Sequence, residues 1–173
     1  MTASIEISRP RPSLIPAYAE LQCLSNYSFL KGASHPEELV QRASELGYTA
    51  LAITDECSVA GVVKAHVAAK SHQLKLIIGS SFALKDGTRL VLLAKNRRGY
   101  GQLCQIISQG RRRALKGQYQ ITINDFPDST QDLFGIWLID HQTSLLDDKA
   151  VNQLKMIFGQ QLWLGAALVM DGF

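Results

Sequence analysis

The chain is predicted to be an α/β fold, a mainly parallel sheet covered by helices with one local antiparallel hairpin. Three observations predict it. Short apolar runs such as Thr49 to Thr54 alternate with stretches of helical spacing. Glycines and polar clusters punctuate the boundaries between them. The dipeptide Asp86–Gly87 divides two β-rich runs, as a hairpin turn does.

Residues 1–17 hold three of the five prolines and lack both period and apolar density, so a flexible tail is expected there. Alternation from Tyr18 to Ser25 predicts a strand, followed by a Ser- and Gly-rich loop from Asn26 to Ala33. Ser34 and Glu37 have capping-box spacing and predict a helix through Leu39, Val40, Ala43 and Leu46 that Gly47 ends. Thr49 to Thr54 reads as a buried parallel strand. Beyond the loop Asp55 to Ser58, Val59, Val62, Val63 and Val67 predict a helix with a buried valine face. Lys75 to Gly79 is a strand, and Phe82 to Leu84 with Arg89 to Ala94 form the hairpin around a two-residue turn. Tyr100, Leu103, Ile106, Ile107 and Ala114 mark a helix that Gly117 stops. Gly135 to Ile139, Leu145 to Phe158 and Leu162 to Val169 are read as strand, helix and strand.

A length of 173 residues suits one domain or a piece of something larger. A formal charge of +3 and a pI near 8.8 are compatible with a nucleic-acid-associated protein but far from a polybasic binder. Cys23, Cys57 and Cys104 are widely spaced, without a C-x-x-C pair, and are read as reduced, largely buried thiols. No basic-then-apolar leader opens the chain and no apolar run reaches the roughly 20 residues of a membrane span, so a soluble cytoplasmic protein with no membrane partner is expected. A P-loop, a nucleophile elbow and a dinucleotide fingerprint are absent, which excludes those enzyme classes. The histidines, His35, His66, His72 and His141, share no local ligand spacing. His35 suits a helix entry, His66 a packed position beside the valines, and the other two element ends. Arg111, Arg112, Arg113 and Lys116 form the clearest basic cluster, a candidate for phosphate contact or a solvated helix end stabilised by the helix dipole.

The segment Glu20 to Ser34, ELQCLSNYSFLKGAS, and the segment Thr49 to Val63, TALAITDECSVAGVV, closely resemble the N-terminal PHP (polymerase and histidinol phosphatase) domain of bacterial C-family DNA polymerase III alpha subunits, above all the error-prone, damage-tolerance branch. The resemblance covers about Tyr18 to Val169. In that family an H-x-H pair precedes the S-N-x-S-F-L-x-G-A-S run, its side chains on one strand face. Gln22 and Leu24 stand there instead. The family's T-D-H becomes Thr54, Asp55 and Glu56, and its I-G-x-E ends here in Ser81. The resemblance therefore implies a degenerate metal site. Asp55 is its vestigial ligand, with Gln22, Leu24, Glu56 and Ser81 at altered positions and no catalytic residue. The alternative for Asp55 is an N-cap or loop carboxylate accepting backbone N–H groups before the helix that starts near Val59. Its replacement by Ala is expected to change stability modestly and to abolish no hydrolytic activity.

The implied architecture is a partial, distorted (βα)7 barrel, with residues 18–173 the N-terminal portion of a truncated domain whose further histidine and aspartate ligands would follow Val169. The implied role is structural, inside an error-prone polymerase engaged in DNA-directed, translesion synthesis and DNA repair. Nucleotidyl transfer and its magnesium would belong to a palm domain outside these residues, so this chain alone is expected to be inactive and without a cofactor. Zinc or manganese would bind only at a competent PHP site. The implied partners are the remainder of the polymerase chain, DNA through the intact enzyme, and other replication or damage-tolerance proteins. Two other readings stand beside it: a stand-alone PHP-type metal-dependent phosphoesterase, and a non-catalytic binding module.

Overall fold

A computed structural model describes residues 17–127, 129–139 and 148–166. Residues 1–16, His141, the expected helix start at Leu145 and the strand end at Val169 lie outside these. Six strands form one sheet in chain order: β1 (Ala19–Cys23), β2 (Ala50–Ile53), β3 (Lys75–Ala83), β4 (Arg89–Ala94), β5 (Leu133–Ile139) and β6 (Leu162–Ala166). β1, β2 and β3 pair in parallel, β4 runs antiparallel to both β3 and β5, and β5 pairs in parallel with β6. Four α-helices join them: α1 (Pro36–Glu45), α2 (Val62–Ser71), α3 (Arg97–Arg112) and α4 (Asp148–Phe158). The sheet is a curled half-barrel, mostly parallel as expected, with β1 and β6 as its edges.

Strand alternation sorts the core into layers. Leu51 and Ile53 face α1 and α2 and pack with Val40, Ala43, Ala65 and Ala69. Phe82, Leu90 and Leu92 face α3 and α4, where Leu103, Ile106 and Leu154 are buried against them. On the other side Ala52, Val91 and Leu93 meet Ile77, Ile136 and Leu138 on the concave face. That face opens on a cavity of about 1050 Å³ lined by Gln22 of β1, by Ile77, Leu93 and Ile136, and by Trp163 of β6.

The local details correct four expectations. α1 is capped by His35 rather than Ser34: His35 donates its N–H to Glu38 Oε2 at 2.8 Å. A residue before proline is held extended, so the helix cannot begin ahead of Pro36 and the reaching carboxylate shifts from Glu37 to Glu38. Val63 and Val67 are 73% and 61% exposed; the buried face of α2 is Val62, Ala65 and Ala69, and His66 is exposed with the outward valines. Small residues face the sheet there because α1 and α2 pack closely side by side.

The hairpin turn has three residues rather than two. Leu84 N–H donates to Thr88 O and Gly87 N–H to Leu84 O, with only Gly87 at positive φ, a tight turn followed by a left-handed glycine. Finally, α3 ends at Arg112, ahead of Ala114 and Gly117. The chain beyond it folds back so that Ile121 packs on Gly110, where an added Cβ would lie 2.6 Å from Ile121 Cγ1. At the other end, Asn96 Oδ1 accepts the N–H groups of Arg98 and Gly99, a cap that the sequence reading did not pick out.

Among the described residues no helix is long and apolar enough to cross a membrane. The reassigned face of α2 has a direct test by urea unfolding. Val67→Asp should alter the unfolding free energy by less than about 0.5 kcal/mol, whereas Ala65→Asp should cost about 3 kcal/mol or more by burying an unpaired charge.

Candidate functional site

The loops leaving β1 and β2 meet beside Ser80 and Ser81 of β3, and Asp55 sits at their junction, 1% exposed. Its carboxylate accepts three hydrogen bonds: from Ser25 N–H at 2.8 Å, from Ser25 Oγ at 2.7 Å and from Ser28 Oγ at 2.7 Å. The donors then serve other groups. Ser28 Oγ accepts Glu56 N–H at 2.9 Å and Ser25 Oγ accepts Tyr27 N–H at 3.2 Å. The backbone carbonyl of Asp55 accepts Ser80 Oγ at 2.8 Å and Ser81 N–H at 3.2 Å. One residue thus ties the β1–α1 loop and β3 to the end of β2. Asp55 accepts from the preceding loop and not from the start of α2, which is where the loop-carboxylate reading had looked for its donors.

Asp55 and the other predicted positions do not share a face. A Cβ added at Gly61, the residue before α2, would lie 3.1 Å from Asp55 Oδ2, 3.1 Å from Tyr27 and 3.0 Å from Pro36, so the carboxylate lies on the helix-covered side. Gln22 lines the concave cavity, and Leu24, two residues on, has the same parity. Glu56 and Ser81 form a parallel bridge of their own beyond the ends of β2 and the middle of β3. Ser81 alternates with Ser80 and Phe82, which face outward, and so belongs with Ile77 on the concave side. The structure thus puts Gln22 in the concave cavity and, by strand alternation, Glu56 and Ser81 on the same side, with Asp55 behind them.

Glu56 is the charged residue among the four altered positions. One carboxylate oxygen is ion-paired with Lys31, and Oε1 accepts the Tyr119 hydroxyl at 2.7 Å. Burial alone would raise its pKa, but the bonds from Lys31 and Tyr119 and the charges of Lys31 and Arg111 outweigh burial and hold it below the usual value. Tyr119 is shifted the other way: burial and the Glu56 carboxylate push its phenol up, against the Ala83 N–H that it accepts at 2.9 Å. Burial likewise pushes Cys57 and Cys23 up to about 11, so neither is a ready nucleophile. All three cysteines are free thiols; Cys57 is buried and the other two are half-buried.

The basic cluster separates. Arg111 donates to the backbone carbonyls of Glu56 and Cys57 at 3.2 to 3.3 Å and to those of Gly117 and Gln118, and stacks 5.3 Å from the Tyr119 ring centroid. Arg113 pairs with Asp125, whose side chain is 4% exposed. Arg112 and Lys116 are exposed at the surface. Two of the four cations proposed for phosphate contact are thereby committed to the fold. Ser25, Ser28, Lys31 and Tyr119 were not singled out from the sequence. The first three lie inside the S-N-x-S-F-L-x-G run, but Tyr119 arrives 63 residues after Glu56 and no local pattern announces it.

Asp55→Ala would leave the buried donors of Ser25 and Ser28 unpaired, so the loss in urea unfolding should be about 3 kcal/mol or more rather than modest. Asp125 gives a pH test. Burial raises its pKa, yet Thr122 and Arg113 outweigh that and hold the carboxyl below its ordinary value. The pair therefore stabilises above the unfolded carboxyl's pKa, and the contribution is lost as pH falls through the folded value. Arg113→Ala should lower the urea midpoint at pH 7 and converge with the parent chain in acid.

Among curated relatives, the chain is 51% identical over 156 residues to the error-prone DNA polymerase of Methylococcus capsulatus, covering 90% of this chain and 15% of that protein. It is 50% identical to the error-prone DNA polymerase of Saccharophagus degradans, over 87% of this chain and 14% of that one. The chain thus spans about a seventh of the length of these relatives. In fold it resembles an amidohydrolase from Chromobacterium violaceum, solved with sulfate and no metal, at a TM-score of 0.57 and 14% identity over 87% of this chain and 76% of that one. A protein assigned as a metal-dependent phosphoesterase from Bifidobacterium adolescentis gives a TM-score of 0.55 at 14% identity, over 82% of this chain and 75% of that one. The PHP domain model matches residues 20–162, and the chain belongs to that family.

Proposed function

We infer that the chain serves as a non-hydrolytic PHP domain of an error-prone DNA polymerase, with a structural role in damage-tolerant DNA synthesis. The relatives that it matches bear that name, and they are several times longer than the matched segment. DNA, the rest of the polymerase chain and the magnesium of nucleotidyl transfer would be met through the intact enzyme, in the cytoplasm. Residues 18–173 would be the N-terminal portion of the PHP domain.

The observation that carries the non-hydrolytic reading is the strand mouth. A phosphoesterase of this kind needs imidazole and carboxylate ligands to hold a divalent ion, which lowers the pKa of bound water. Leu24 offers no ligand, and both oxygens of Asp55 are taken by serine donors. Among the described residues no three His, Cys, Asp or Glu side chains come together as a metal-binding group. The residues present do not fit a metal centre.

Two measurements test the reading. An antibody against residues 20–117 should detect, in the source cells, a product several times heavier than 19.1 kDa; a band near that mass would favour a free-standing module. The purified chain should show no phosphoesterase rate above background with added manganese or zinc. Near-stoichiometric bound metal, or hydrolysis that Asp55→Ala removes from a variant still folded by circular dichroism, would overturn the non-hydrolytic reading.

A further inference from the structure

We propose that the Lys31 ammonium is the resident cation of the strand mouth, placed so that it takes over the charge-neutralising role of a metal and makes the mouth reject divalent ions. The proposal rests on the non-hydrolytic reading above and says how that state is maintained.

Glu56 is the one acidic residue among the four altered positions, and Lys31 is ion-paired with it. The other oxygen of Glu56 is held by Tyr119. Behind the carboxylate, the Arg111 guanidinium lies on the carbonyls of Glu56 and Cys57. Glu56 is thus balanced by Lys31 with Arg111 behind it, and a divalent ion arriving at Glu56 would meet two cations and a carboxylate with both oxygens engaged.

The loop is built to bring Lys31 there. Ser25 and Ser28 anchor it on Asp55, and Asn26 N–H donates to Ser34 O at 2.9 Å to close its base. Leu30, 90% exposed, adopts φ 61, a left-handed conformation that is costly for any residue with a Cβ. Its side chain gains no burial in return. What the turn does is direct the next residue back: Lys31 and Gly32 both donate their N–H groups to Ser28 O at 2.9 Å. Gly32 lies so close to Ser25 that an added Cβ would be 2.1 Å from its carbonyl oxygen, which fixes the path of the loop on Lys31's far side.

Lys31 is 57% exposed, and an ion pair so solvated contributes little to stability. Its effect is therefore expected in cation affinity and not in melting temperature, which separates this role from a merely structural one. The test starts from the 173-residue chain carrying Gln22→His with Leu24→His, which restores the family's H-x-H spacing at the end of β1, and measures Mn²⁺ affinity by titration calorimetry. Adding Lys31→Met should tighten binding by at least about tenfold, while Lys31→Arg should leave it unchanged. Equal affinities with and without Lys31, including no binding in either, overturn the proposal. Should the histidine variant fail to fold, the same comparison is made on the otherwise unaltered chain through melting with and without MnCl₂. A manganese-dependent rise for Lys31→Met and none for Lys31→Arg supports the proposal, and identical responses overturn it. Stoichiometric metal in the unaltered chain would instead sink the non-hydrolytic reading, so the two failures are distinguishable.

Discussion

A carboxylate taken out of water must be met by donors, and the burial of Asp55 organises the whole front end of the sheet. Its three partners come from a loop 27 to 30 residues earlier in the chain, and its own carbonyl receives groups from β3, 25 or more residues later. The β1–α1 loop cannot shift without leaving a charge unpaired. Lys31, Gly32 and the start of α1 inherit their positions from that anchor. Around it the packing is tight: a Cβ added at Gly61 would press on Pro36, Asp55 and Tyr27 at 3.0 to 3.1 Å.

Adjacent residues at a strand end project to opposite sides, and here that elementary fact divides two jobs. Asp55 faces the helices and holds the scaffold, and Glu56 faces the mouth and carries its charge. In the T-D-E segment the retained aspartate is therefore the structural member, while the residue that differs from the family pattern stands where chemistry would occur. The serines that satisfy Asp55 belong to the part of the first segment that matches the family, and the substituted positions Gln22 and Leu24 precede it.

The sheet and helices were legible in the sequence because burial imposes period. β2 is an unbroken apolar run covered on both sides, and the apolar spacing of α3 reappears as buried Leu103 and Ile106. Errors arose where a rule of local chemistry met a stronger neighbour. Proline moved the cap from Ser34 to His35, and alanines took the buried face of α2 that valines had suggested. At the mouth, the altered ligand positions could be read from the pattern, but the serine donors that commit Asp55 to the scaffold could not, because they come from a loop 27 to 30 residues earlier in the chain. Arg111 shows the same limit. Its neighbours in sequence are solvated or surface-paired cations, whereas its own partners are carbonyls 54 and 55 residues away.

The order of the strands carries a consequence for how the molecule is made. Each strand lies beside its predecessor in the chain, from β1 through β6, and no later strand has to be inserted between two earlier ones. An element leaving the ribosome finds its docking edge already formed, and loop closure at each step spans only a few tens of residues. Assembly can advance from the amino end at the pace of synthesis, with the growing sheet offering one fresh edge at a time. The Asp55 junction is complete once β3 has emerged, so the rigid front end is in place before the α3 and α4 layer is added to it.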